Sequence, residues 1–97
     1  MSVLMEVLKE ELDRLDRQQV AYERDLQALP KGYISKKKIA GKEYCYLQHR
    51  DGGKVVGKYI AADELPKLEA QVQRRKQLEA SLRRVKADQK KLRKVLS

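Results

Sequence analysis

Residues 33–60 read YISKKKIAGKEYCYLQHRDGGKVVGKYI, and the fold is decided there. Three short runs that hold most of the stretch's Tyr, Ile and Val, Tyr33–Ile39, Glu43–His49 and Lys54–Ile60, read as strands. Between the runs stand Ala40-Gly41-Lys42 and Asp51-Gly52-Gly53. Tight hairpin turns need positive φ, which glycine adopts without steric cost. The stretch therefore predicts a meander of three antiparallel strands.

If both loops hold two residues, strand pairing sorts the side chains. One face takes Tyr33, Lys37, Ile39, Tyr44, Tyr46, Gln48, Val55 and Tyr59. The other takes Ile34, Lys36, Lys38, Cys45, Leu47, Val56, Lys58 and Ile60. A three-residue second loop would turn the third strand over, because a slip of one residue exchanges the faces. The aliphatic face is expected to cap the open end of a helical hairpin, leaving the tyrosines outward.

On either side the pattern is helical. Before the strands, Met5, Leu8, Leu12, Leu15, Gln19, Tyr22, Leu26 and Leu29 recur at alternating steps of three and four, the heptad signature of a coiled-coil seam. Pro30 and Gly32 end the run, since the residue before a proline avoids helical backbone. After the strands the pattern returns at Leu65, Leu68, Val72, Arg75, Leu78, Leu82, Val85, Gln89, Leu92 and Leu96, with one irregular short step from Arg75 to Leu78. Asp63 is a candidate N-cap and Pro66 is tolerated in a first helical turn. The fold class is thus α+β: an antiparallel two-helix coiled-coil hairpin, helices 2–29 and 63–96, connected by the β-meander as a single domain over 1–97. Folding the chain back pairs Leu29 with Leu65, Leu26 with Leu68, Tyr22 with Val72, Leu15 with Leu78 and Leu12 with Leu82. It sets polar Gln19 opposite polar Arg75, a layer able to fix the register.

Composition narrows the function. The 97 residues include five Tyr, no Phe, no Trp, and a single Cys. Cys45 has no partner for an internal disulfide, which fits a reducing, cytoplasmic setting. The N-terminus has no basic segment of the signal-peptide kind, and no apolar run approaches a membrane span. His49 and Cys45 stand four apart on one strand without a third group. Gly52-Gly53-Lys54 is too short for a phosphate-binding loop and precedes a strand. No catalytic set and no metal-ligand cluster appears, so the expectation is a non-enzyme without cofactor or small-molecule substrate.

Charge is uneven. Residues 1–30 carry four Lys/Arg against seven Asp/Glu, residues 31–60 eight against two, and residues 61–97 eleven against five. The excess positive charge of the strands suggests a polyanionic partner, DNA or RNA or a ribonucleoprotein. Candidate contacts are Lys36, Lys37, Lys38, Lys42, Tyr44, Tyr46, Arg50, Lys54 and Lys58, because lysines attract phosphates and tyrosine rings stack on bases. The competing reading is a solvated edge with tyrosines packed on the helices. A second candidate is the apolar tip formed by Met1, Leu4, Val7, Leu92 and Val95, which exceeds what a two-helix seam covers and would suit a homodimer or a protein–protein adaptor or inhibitor.

The string LPKGYISKKKIAGKEYCYLQHRDGGKVVGKYI resembles a widespread family of small uncharacterised bacterial and phage-associated proteins, whose pattern runs LPKG, a basic strand, GK-x-Y-x-Y-LQ, GGKV and K-Y-[IV]. The resemblance covers roughly residues 29–96 and brings no activity with it. A fainter similarity is to the arm-type DNA-binding domains of tyrosine recombinases, in which a basic three-stranded sheet precedes a helix. Lys36, Lys38, Gly41-Lys42 and Tyr44 occupy comparable places, but the long acidic helix in front departs from that pattern.

Overall fold

Among residues 2–97, which the computed structural model describes, the chain forms two helices and three strands in the order α1 (Val3–Gln27), β1 (Tyr33–Ile39), β2 (Lys42–Asp51), β3 (Lys54–Ile60) and α2 (Leu65–Leu96). The strands make an antiparallel sheet in the order β1-β2-β3. The α+β class and the meander are those the sequence predicts.

Both hairpin loops have two residues. Ile39 pairs with Lys42 across Ala40-Gly41, and Asp51 pairs with Lys54 across Gly52-Gly53. All four loop residues have positive φ, from 54° at Ala40 to 85° at Gly53. Positive φ at both central positions defines the turn whose twist matches the flanking strands. Because the turns are this tight, β2 runs up to them at both ends and exceeds its expected span. Ala40 is the one non-glycine residue with positive φ among the described residues.

The helices start and stop close to the expected places. α1 ends at Gln27 rather than at 29, since Pro30 drives Leu29 out of helical backbone. α2 begins at Leu65 rather than 63: the Glu64 amide donates to the Ala61 carbonyl in a preceding turn, and the Glu64 carbonyl accepts the first helical bond from Leu68. Pro66 falls in the first turn, where its missing N–H costs nothing.

The chain divides into two compact units that share α2. One comprises residues 1–28 with 77–97, and the other residues 29–76. In the helical unit, Leu15, Leu26, Leu78 and Val85 are buried together with Gln89, which is only 2% exposed. In the sheet unit the buried residues are Ile60 and Val72. Every position of the two heptad runs from Met5 to Leu96 is buried or half-buried, so the phase of each helix is the expected one.

Its register is not the expected one. Gln19 accepts a hydrogen bond from Gln89 Nε2 at 2.9 Å, and the same amide nitrogen donates to Asp16 Oδ1 at 2.7 Å. Arg93 donates to Asp16 at 3.0 Å, Gln19 Nε2 donates to Glu23 at 2.8 Å, and Lys86 lies 4.0 Å from Glu23. Gln19 therefore faces Gln89, two heptads along α2 from Arg75. Arg75 instead donates to the Leu29 carbonyl at 3.1 Å. A heptad repeat fits equally well after sliding by whole heptads, and α2 carries two polar seam residues able to meet Gln19. Gln89 stands in the half of α2 that belongs to the helical unit, and Arg75 in the half that belongs to the sheet unit.

Candidate nucleic-acid interface

Strand pairing fixes which side chains share a face. Ser35, Tyr46 and Tyr59 form one cross-strand rung; Tyr33, Gln48 and Gly57 form the next; Lys37 stands opposite Tyr44 and Arg50 opposite Val55. All of these lie on one face, with Ile39 and Lys42 at its turn. The opposite face holds Ile34, Lys36, Lys38, Cys45, Leu47, His49, Lys54, Val56, Lys58 and Ile60. The allocation is the one expected for two-residue loops.

The tyrosine face carries a cluster of rings. Tyr59 lies 6.0 Å from Tyr46 at 69° and 6.3 Å from Tyr44 at 56°, both within the range of edge-to-face aromatic pairs. Lys37 Nζ stands 5.3 Å from the centre of the Tyr46 ring, a cation–π distance. Tyr44 and Tyr46 are half-buried, whereas Tyr33 and Tyr59 are 51% and 56% exposed. Tyr44, Tyr46 and Tyr59 thus brace one another, and Tyr59, with Tyr33 outside the cluster, presents area to solvent. Tyr59 was not among the expected contacts, yet it joins the other two rings. The alternation of β3, which puts Tyr59 in phase with Tyr46, was the signal for it.

The expected cations separate into two groups. Lys37, Lys42 and Arg50 accompany the tyrosines, while Lys36, Lys38, Lys54 and Lys58 are on the other face beside the aliphatic residues. All seven are exposed. Neighbouring lysines along a strand point to opposite faces, so the run Lys36-Lys37-Lys38 cannot act as one patch.

The expected apolar tip is not assembled: the observed register sets Arg93 against Asp16 and Leu92 beside Glu11 and Leu15, so Leu4 and Val7, 64% and 52% exposed, lie on the first turns of α1 past the end of α2, apart from half-buried Leu92 and 61% exposed Val95. Met1 lies outside the described residues. In the same helical unit the hydrogen bond from Arg14 holds the exposed Glu11 carboxyl below its ordinary range, with the guanidinium charge acting in the same direction. Among the described residues no group of His, Cys, Asp and Glu is arranged to hold a metal ion, and no helix is long and apolar enough to cross a membrane.

Comparison with protein families matches residues 6–70 to a domain of unknown function, DUF6788. The matched stretch runs from the first turn of α1 through the whole sheet into the start of α2. No curated protein and no solved structure matches the chain.

Proposed function

The chain belongs to the DUF6788 family, and from its sheet we propose that it is a small single-strand nucleic-acid-binding accessory protein, with the tyrosine face as the contact surface. The observation that carries this reading is the ring cluster of Tyr44, Tyr46 and Tyr59 with Lys37, Lys42 and Arg50 on the same face. Exposed rings on a rigid sheet offer stacking planes to unpaired bases, and surrounding cations hold the phosphates between them. Duplex DNA keeps its base faces stacked inside and would leave the rings unused.

The test is fluorescence anisotropy with single-stranded DNA and RNA across a salt series. Log affinity should fall linearly with log salt, and Lys37→Ala, Lys42→Ala and Arg50→Ala should each flatten the slope by about 0.7. Lys36→Ala with Lys38→Ala, on the opposite face, should leave the slope nearly unchanged. Absence of binding at low salt, or equal effects from the two faces, would sink the proposal.

A second reading is favoured by the exposed Leu4 and Val7 at the start of α1: association through this apolar stretch, with a second copy of the chain or another protein, which would make the protein an adaptor. It is compatible with the first, since it uses a different unit.

A further inference from the structure

Five glycines occur in the chain, and four have visible structural reasons. Gly41, Gly52 and Gly53 take positive φ in the turns. Gly32 combines φ of 117° with a close approach, since a Cβ there would run into the Gln48 carbonyl oxygen and stand 3.2 Å from His49 Cβ. Gly57 has neither reason. Its φ is not positive, and a Cβ at this position would meet only the Gln48 side chain, at ordinary distances of 3.7 Å from Cγ and 3.8 Å from Nε2. It sits in the interior of β3, where glycine weakens a strand. Within this chain, nothing about position 57 calls for a missing side chain.

The surroundings of that gap are organised. Gly57 lies on the tyrosine face between Val55 and Tyr59 along β3, with Gln48 directly across on β2. The Gln48 carboxamide has no hydrogen-bond partner among the described residues. It offers a donor and an acceptor side by side at the edge of the gap, with Gln48 Cγ and Nε2 in van der Waals range of the missing Cβ. Tyr59, the most exposed ring of the cluster, stands beside the gap. Tyr33, which is also exposed, completes the rung on the far side of Gln48.

We propose that the Gly57 gap is a nucleobase seat, in which one base lies over the β3 backbone beside the Tyr59 ring and is read by the Gln48 carboxamide. This inference rests on the proposed single-strand binding and adds a base preference to it. A carboxamide pairs best with adenine, which presents an amino donor next to a ring-nitrogen acceptor. Glycine at 57 is then explained by the ligand, because any Cβ substituent would occupy the place of the base.

The proposal separates stability from binding. Gly57→Thr should fold and raise the melting temperature by about 4 °C, since a β-branched residue replaces a strand glycine without a clash. The same change should weaken binding to short dA homopolymers about tenfold, the scale of losing one stacked base. Wild type should prefer dA over dT about tenfold, and Gln48→Leu should abolish that preference while keeping the salt slope. A Gly57→Thr protein that binds as wild type, or melts lower, overturns the seat; so does a preference surviving in Gln48→Leu. Tyr59→Ala distinguishes the two levels. If it weakens binding while Gly57→Thr does not, single-strand binding stands and the seat alone is wrong. If wild type binds no homopolymer at all, both fall together.

Discussion

Removing the Gln89 side chain tests the register most directly. Gln89 is 2% exposed and its amide nitrogen donates both to the Asp16 carboxylate at 2.7 Å and to the Gln19 carbonyl at 2.9 Å. A hydrogen bond to a charged group is worth about 1.5–3 kcal/mol and a neutral one about 0.5–1.5 kcal/mol. Asp16 keeps Arg93 at 3.0 Å, and neither Asp16 nor Gln19 is fully buried, so water can reoccupy part of what is lost. Gln89→Ala should therefore cost about 2–3 kcal/mol, toward the low end of the sum. For a chain of this size that is a fall of roughly 10–20 °C in melting temperature. Gln89→Leu combined with Gln19→Leu should recover most of the stability, because an apolar layer replaces a polar one. It should also loosen the register, since sliding by one heptad no longer buries an amide against Leu12 or Leu82. Disulfide trapping reads this out in a Cys45→Ser background. Cysteines replacing Glu23 and Lys86, 4.0 Å apart at their charged ends, should cross-link in the parent protein. Cysteines replacing Glu23 and Glu79 should cross-link only in the double leucine variant. Gln89→Ala changing stability by less than about 0.5 kcal/mol, the range of an ordinary surface substitution, would refute the reasoning.

Two backbone positions should respond in opposite directions to the exchange of glycine and alanine. Gly32→Ala drives a Cβ into the Gln48 carbonyl at φ of 117° and should cost about 3–4 kcal/mol in urea unfolding. Ala40→Gly relieves a left-handed alanine at φ of 54° and should gain about 0.5–1 kcal/mol after the entropic cost of glycine is subtracted. For the exposed start of α1, sedimentation should show a dimer at high micromolar concentration that Leu4→Lys with Val7→Lys converts to monomer. A wild-type monomer at that concentration disposes of self-association through this surface.

The sheet was legible in the sequence almost residue for residue, because its determinants are local. Gly41 and Gly52-Gly53 mark both turns, and a two-residue loop leaves no freedom in pairing, so the faces followed from counting. The helix phase was equally legible, as the burial from Met5 to Leu96 shows. The pairing of the helices was not, because a heptad pattern maps onto itself after each whole repeat and so carries no address. Gln19 narrows the choice only to polar partners, and Arg75 and Gln89 both qualify. One signal did bear on the answer: the short step from Arg75 to Leu78 brackets Lys76–Gln77, where α2 passes from the sheet unit to the helical unit. Of the candidate site, residue types were visible but the segregation of cations was incomplete, since Lys36-Lys37-Lys38 looks continuous until strand alternation divides it. Gly57 gave no signal, because its difference from the other glycines is a φ that is not positive.

That crossing point within α2 has a thermodynamic meaning. Thirty-two residues of unbroken helix, about 48 Å, serve two separate packing partnerships. Helix formation is cooperative along the backbone, so neither half can melt without imposing a frayed end on the other. Whatever binds the sheet with a hundredfold excess over its dissociation constant adds about 2.7 kcal/mol to the state in which the first half is ordered. Part of that free energy reaches the second half as a preformed helical start, through hydrogen bonds in series. The slowest-exchanging amides of residues 77–97 would then report occupancy of a surface to which they contribute no atom.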